Sequence, residues 1–466
     1  MLTFDAWQVR AAVTETKTIV VGGGISGLAC AYALRKAEVD VQVLEASPRA
    51  GGVIQSEHRK GFLLELGPQS FTGAAALQKL CAELGIEGQL MEAPAQAPRY
   101  VLVHGKLVAV PMRPAALLGS SLLGPRTKWA IARDAFGRSR PPEEDESIAA
   151  FVRRKFGAEL LDRLVGPFVS GIYAGDPERL SLRSAFPRLH DAEKAAGSVT
   201  RGMMRAAKSR TGPRERPTLL SFRDGNETLV RALAAKIGAR MRVNSEVIRI
   251  AMARAGTSEK FEVQVRGSGG GETLWADQLV MATPPDVAGR LLSEGNAELG
   301  RLLGGIEYAP VAVASLAYRR DDVGHSLDGF GFLVPRSSRL RVLGTVWNSS
   351  LFPGRAPEGF VLLTSFVGGA TDPGVATLSN DALVSLVHGE IRDLLQARSA
   401  PAFANVQIYR RALPQYNLGH AARLASIEKL RVSIGQLYFV GNYLRGPAIG
   451  SCVEQALAVA SAIHPV

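Results

Sequence analysis

Cysteine is nearly absent from this 466-residue chain: Cys30, Cys81 and Cys452 are far apart, odd in number and outside any C-x-x-C. That spacing argues against a disulfide framework and fits a reducing compartment. Histidine is as sparse, with seven residues scattered along the sequence, so no metal site is expected. No run of about 18 apolar residues occurs, and nothing is expected to span a bilayer. Residues 1–16 carry Asp5 and Glu15 and lack a long apolar stretch, so they do not read as a secretory signal. The fold is expected to begin at Thr18, with a frayed tail before it. Acidic residues are outnumbered, 43 against 55 Lys and Arg, for a net charge of +12. Such an excess can serve nucleic acid, an anionic membrane face or anionic substrates. The basic residues are dispersed and form no nucleic-acid-binding motif, so no nucleic-acid partner is expected. Hydrophobic residues make up 46% of the chain, which is the composition of a globular protein, and the length calls for two or three domains.

The most informative stretch runs from Thr18 to Glu45, TIVVGGGISGLACAYALRKAEVDVQVLE. An apolar run (Ile19, Val20, Val21) breaks into Gly22-x-Gly24-x-x-Gly27, a helix-forming stretch follows to Lys36, and a second apolar strand, Val39–Leu44, ends on Glu45. Strand, tight turn, helix, strand and acid in that order predict a dinucleotide site. Gly22 allows the turn, Gly24 lets the backbone approach a pyrophosphate, and Gly27 lets the helix pack on the strand. The helix start offers unpaired N–H groups to phosphate, and Glu45 offers acceptors to ribose hydroxyls. The residues after Glu45 (Ala46, Ser47, Pro48, Arg49, Ala50, Gly51, Gly52) resemble the extension by which two-dinucleotide-domain flavoproteins contact FAD. Non-covalent FAD is therefore the expected cofactor.

Further along, Gly61–Pro68 reads as a strand ending in a turn, 72–90 as helix, and 97–110 as a hairpin turning at His104-Gly105. From Pro111 to about Arg216 helices dominate. The acidic run Glu143–Glu146 reads as a solvated loop before a helix capped by Asp145 or Ser147. Arg205–Pro217 reads as an exposed basic connector. Strands return around Met241–Ile250, Glu262–Arg266 and Asp277–Ala282, which marks a dinucleotide-binding domain split by a long insertion. Residues 306–369 are strand-rich and suggest one antiparallel sheet. Near the end, Leu437–Asn442 is a buried strand leading through a glycine-bearing turn into the apolar helix Cys452–Ala462. That arrangement would place a helix start where negative charge grows on a reduced flavin.

Together GGGISGL, EASPRAGG, ELGPQSF, SGIYAGD, DGFGFLVP, PQYNLGH and the C-terminal GN-x5-AIGSC block resemble the oxygen-dependent, FAD-containing protoporphyrinogen oxidases, from Thr18 onward. The first two motifs are shared with amine oxidases and carotenoid desaturases; GIYAGD, GFGFLVP and PQYNLGH are more specific. The resemblance implies an α/β chain, α+β overall. It has a split two-dinucleotide-type FAD-binding domain (1–96, 217–300 and 405–466), an antiparallel-sheet substrate domain (97–110 and 301–404) and a helical insertion (111–216). Flavin-contacting positions would be Gly22, Gly23, Gly24, Ile25, Ser26, Gly27, Glu45, Ala46, Arg49, Gly51, Gly52, Val53, Gly67, Pro68, Gln69, Ser70, Val247, Gly441, Pro447, Ala448 and Ile449. Arg99 would grip a propionate of a tetrapyrrole, and Gly171, Gly331, Leu333 and Phe366 would form the slot that sandwiches its rings. Gln69 and Ser170 depart from residues common in the family.

The implied substrate is a hexahydroporphyrin with sp³ bridges, oxidised in three two-electron steps with O2 as acceptor and peroxide as product. Hydride loss from a bridge leaves a cation shared by flanking pyrroles, so no general base is assigned from sequence. Protoporphyrinogen IX is the expected substrate. A coproporphyrinogen III oxidase of the same fold is the nearest alternative; a flavin amine oxidase, a non-enzymatic FAD-binding protein and a basic nucleic-acid binder are others. The resemblance is compatible with a cytoplasmic enzyme, peripheral membrane contact through 111–134, a homodimer, and hand-off of product to a ferrochelatase.

Overall fold

The computed structural model describes residues 14–111, 114–208, 218–255 and 258–464. Its first unit is β1 (Thr14–Val21), α1 (Ile25–Lys36) and β2 (Val41–Leu44). The two strands are parallel and buried over Thr18–Val21 and Val41–Leu44, as expected of apolar strands covered on both faces. Gly270–Met281 lies parallel to β1 on its other side, and Leu437–Phe439 and Met241–Arg242 extend the parallel set. Glu246–Ala255 and Ser258–Gly267 add an antiparallel ribbon, completing a seven-stranded sheet. The sheet begins earlier than Thr18: Thr14 is already in register with Leu274, and Thr16 Oγ1 donates to Asp40 Oδ2 at 2.8 Å. The expected frayed tail falls on residues 1–13, outside the described residues.

A second seven-stranded sheet has the order Phe403–Pro414, Tyr308–Arg319, Phe360–Gly368, Val342–Val346, Gly331–Leu333, Arg99–Val103, Lys106–Ala109. Its neighbours are antiparallel except Arg99–Val103 and Gly331–Leu333, which run parallel. The expected hairpin turns at His104 and Gly105, both with positive φ (49° and 76°). The expected domain limit at 405 falls inside Phe403–Pro414, which pairs with Tyr308–Arg319. Residues 405–414 thus belong to the second sheet; no turn residue breaks that strand before Pro414. The expected helix over 72–90 is shorter, Ala75–Leu84, and is flanked by strands Phe71–Thr72 and Leu90–Glu92 that pair with Leu219–Phe222.

Among its described residues the insertion consists of helices joined by loops, with no strand. Ser147 caps the helix Ile148–Phe156 by accepting from the Ala150 N–H at 3.1 Å. Its interior is charged. Glu193, 0% exposed, meets Arg154 at 2.9 Å and Lys155 at 3.2 Å, while Lys155 reaches Asp134 at 2.5 Å. Burial pushes the Glu193 carboxyl up, but hydrogen bonds from Arg154 and Ser139 and both cations outweigh it and hold it at about 2. The basic connector expected over 205–217 divides: Val199–Lys208 is helix, and 209–217 lie outside the described residues.

Candidate active site

Five glycines shape a cradle at the end of β1. Gly22 has φ +110°, and a Cβ there would sit 2.9 Å from the Ala282 backbone. A Cβ on Gly27 would collide with the Gly22 carbonyl, so α1 packs this closely only because both are glycine. Gly24 caps α1 with no side-chain hydrogen bond and is open on its Cβ side. The N–H groups at the start of α1, from Ile25 onward, therefore lack a side-chain cap, as an anion site requires. Glu45 is fixed at the far edge, accepting from the Gly23 N–H at 2.6 Å and the Ser47 N–H at 2.8 Å.

The segment after Glu45 folds back over the turn. Gly51 N–H donates to Gly23 O at 2.7 Å, and Gly52 has its backbone against Gly24. Arg49 spends its guanidinium on this loop, donating to Ala50 O (3.1 Å), Ile54 O (3.2 Å) and Gly52 O. In this arrangement it braces the loop. Ala46 and Ser47 continue from Glu45 without entering a helix or strand, while Val53 is 47% exposed with its carbonyl against Gly67. Val247 is buried at a bulge in the edge strand of the same sheet.

Gly67, Pro68, Gln69 and Ser70 form a loop held from beneath. Gln69 is buried; its Nε2 donates to Glu65 O and Gly67 O, both at 2.9 Å, and its Oε1 accepts from Asn348 Nδ2 at 2.7 Å. Both ends of the amide are thus used inside the protein. Asn226 Nδ2 donates to Pro68 O at 2.8 Å. Below, Glu65 meets Arg355 at 3.2 Å with each side chain 1% exposed. Burial pushes the Glu65 carboxyl up to about 7 against the pull of Arg355 and of hydrogen bonds from Ser56 and the Asn226 N–H. Arg355 comes from the second sheet's connection and Glu65 from the first domain, so this pair pins the loop across the domain junction.

A second helix start faces the same region. Ile449–Ile463 packs beside α1 in one core through Val453, Ala456 and Ala460. Its cap, Ala448, supplies no side-chain bond. The Cys452 thiol is hydrogen-bonded to Ser26 of α1, and its pKa is pushed up to about 11 by burial. Gly441 ends the strand before Asn442–Arg445, and Pro447 leads into Ala448 and the helix. Two uncapped helix starts and a glycine cradle supply the donors, and a fixed carboxylate the acceptor, that a dinucleotide with a pyrophosphate needs.

The expected slot residues meet through sheet register. Leu333 lies opposite both Val101 and Gly344; Gly344 is opposite Phe366, Phe366 opposite Val313, and Val313 opposite Gln407. One row of side chains therefore runs across six strands. Arg99 and Gly331 pair two residues away on the same face. Gly171, on the helix Gly166–Tyr173, approaches this wall so closely that a Cβ would be 2.7 Å from Leu333 Cδ2. Phe168 and Ile172, on the same helical face as Gly171, are 49% and 37% exposed. Arg99 is exposed, with its guanidinium 5.4 Å over the Phe330 ring. Three strand spacings separate Arg99 from Phe366, roughly 14 Å, so the cation stands at the far end of the wall.

Sequence reasoning missed Val101, Gly344, Val313, Gln407 and Tyr409, whose place depends on strand pairing. Alternation in VAVASLAY puts Val311 and Val313 on one face, but nothing local names the partners. Burial keeps the Tyr409 hydroxyl above the usual phenol range, against the opposing charge of Arg49.

Residues 25–464 match the family model for flavin containing amine oxidoreductases. The chain is 34% identical to the chloroplastic protoporphyrinogen oxidase of Nicotiana tabacum, covering 96% of this chain and 85% of that protein. It is 28% identical to the coproporphyrinogen III oxidase of Bacillus subtilis (strain 168), covering 95% and 97%. A crystal structure from Exiguobacterium sp. 255-15 shares the fold, with a TM-score of 0.79 at 24% identity over 97% of this chain and 99% of that one.

Proposed function

Because the chain belongs to the flavin containing amine oxidoreductases, and among them to the porphyrinogen-oxidising branch, we propose that it oxidises protoporphyrinogen IX to protoporphyrin IX with O2 as acceptor. The observation that carries this reading is the single wall Arg99–Gly331–Leu333–Gly344–Phe366, met by Gly171. A wall of glycines, Leu and Phe suits a flat, apolar macrocycle, and one cation at its end suits a propionate.

When bound, FAD supplies the hydride acceptor and returns the electrons to O2 as peroxide. Gly22 to Gly27, Glu45, Ala46, Gly51, Gly52, Gly67, Pro68, Ser70, Val247, Gly441 and Pro447 to Ile449 would hold it. Arg49, Val53 and Gln69 would shape the loops around it. The chain's task at the substrate is positional. Arg99 orients the macrocycle from one edge, Phe366 and Leu333 press on one face, and Gly171, already against Leu333, closes the wall on the helix side. Phe168, Ile172 and Phe366 exclude water from the bridge carbon that loses hydride. No side chain in the wall is a base, which fits a reaction whose cation is stabilised by the substrate's own pyrroles.

Peripheral membrane contact through the insertion is supported by Trp129 (63% exposed) and Phe136 (86% exposed) beside Arg126, Lys128 and Arg133 on the helix Pro125–Phe136. Apolar contact plus cations gives reversible attachment. Met112 and Arg113 of this segment lie outside the described residues, and no helix among the described residues is long and apolar enough to cross a membrane.

The test is porphyrin fluorescence and peroxide yield with both porphyrinogens side by side in air. Protoporphyrinogen should be oxidised with higher kcat/KM; preference for coproporphyrinogen would move the substrate assignment, and no porphyrin from either would end it.

A further inference from the structure

The segment Pro414–His420 (PQYNLGH) follows the strand Phe403–Pro414, and its contacts converge on parts of the site. Gln415, 4% exposed, donates from Nε2 to Tyr173 O at 2.9 Å, at the C-terminal end of the helix that carries Gly171. The Tyr416 ring lies 5.5 Å from that of Tyr173 and stacks on His420 at 4.6 Å, tilted by only 8°. Its hydroxyl donates to Asn442 O and is also hydrogen-bonded to the Gly446 backbone. His420 is buried, and its Nε2 lies 2.9 Å from Tyr443 O. A carbonyl only accepts, so this nitrogen carries the proton. From the neighbouring strand, Tyr308 OH donates to Asn442 Oδ1 at 2.8 Å. One short segment therefore grips the slot-facing helix on one side and, on the other, the turn Gly441–Gly446 that leads into Ile449–Ile463.

We propose that Gln415, Tyr416 and His420 are positioning residues that fix the distance between the slot wall at Gly171 and the flavin-facing turn at Gly441–Ile449. The inference rests on the functional reading above, because it gives that distance its meaning: the bridge carbon must sit against the hydride acceptor. Tyr416 is the centre of the device. It contacts Tyr173, His420 and the turn together, and its hydroxyl bond is made to backbone, so the turn is held without regard to the side chains the turn carries. A small shift in this spacing lowers the rate of the chemical step more than it weakens substrate binding.

The experiment compares Tyr416→Phe, which keeps both ring contacts and removes only the hydroxyl, with Gln415→Met and wild type. Hydrogen exchange on the flavin-free protein is the first readout. Tyr416→Phe should speed exchange in 441–449 roughly five- to tenfold, the size expected for one lost hydrogen bond, and leave 14–45 unchanged. Gln415→Met should do the same at 171–175. FAD titration of Tyr416→Phe should show affinity weakened by a similar factor. With porphyrinogen at saturating FAD, kcat should fall several-fold while KM stays within twofold. Unchanged exchange at 441–449, or a uniform rise across the first domain, would overturn the proposal, as would a loss confined to KM. If wild type oxidises neither porphyrinogen, the functional reading fails, while exchange and FAD titration still decide whether the segment grips the turn.

Discussion

Between β1 and Gly52 the cradle is backbone: Gly22 and Gly27, which admit no Cβ, helix N–H groups without a cap, and Glu45 held by two more amides. In the second sheet the wall is side chain, carried by six strands and shaped by which residues fall opposite one another. A backbone site tolerates little where, as at Gly22 and Gly27, the glycine stands against fixed backbone. A side-chain wall tolerates more, because truncation removes one contact and leaves the strands paired. Substitutions should therefore be all-or-none in the first region and graded in the second.

The largest expected effect lies at the seam between them. Arg355→Met leaves Glu65 buried without its partner, and breaking a buried pair by removing one member costs about 3–5 kcal/mol. Thermal unfolding should drop by many degrees, and flavin should be lost with the Gly67–Ser70 loop. Glu65→Gln together with Arg355→Met should recover part of the loss, because no lone charge remains.

Next comes Gly27→Ala, which drives a methyl into the Gly22 carbonyl. Overpacking of this kind costs about 1–3 kcal/mol, and here it falls on the cradle, so purified protein should contain little flavin. Absorbance of flavin released by acid measures it. A normal flavin content would break the distinction between the two regions.

Arg99→Ala should leave flavin content normal and cost about 1.5–3 kcal/mol in substrate recognition. That is about 10- to 150-fold in kcat/KM, expressed mainly in KM. Arg99→Lys should be intermediate, since it keeps the charge and loses the two-pronged geometry. A value for Arg99→Ala within twofold of wild type would make the residue a surface charge.

The smallest effect at neutral pH concerns the insertion. Glu193 is held at about 2, below its ordinary value of 4.5, so its contribution to stability is present above pH 4.5 and is lost as pH falls through 2. Circular dichroism and limited proteolysis between pH 5 and 2 should show the insertion loosening. Glu193→Gln should flatten that dependence.

These contrasts also explain what could be read in advance. The cradle lies within one contiguous stretch, Thr18–Gly52, so spacing alone predicts it. The wall draws Val101, Leu333, Gly344, Phe366, Val313 and Gln407 from distant segments, and only Arg99, Gly331, Leu333 and Phe366 were reachable, through family motifs. The parallel pairing of Arg99–Val103 with Gly331–Leu333 has no local signal, because strand order is set by long-range packing. The 405 boundary missed for the same reason. The charged interior of the insertion has no local signal either: it exists only where three helices bring Asp134, Lys155 and Glu193 together.

The most direct test of the central idea, that the wall presents a porphyrinogen to a flavin held by the cradle, is an anaerobic single turnover. FAD-loaded protein is mixed with protoporphyrinogen IX without oxygen, and the flavin absorbance is followed. Bleaching in wild type, needing a higher substrate concentration in Arg99→Ala but reaching the same extent, is the predicted result. A flavin that stays oxidised in wild type, or bleaches identically in both proteins at every substrate concentration, would contradict it.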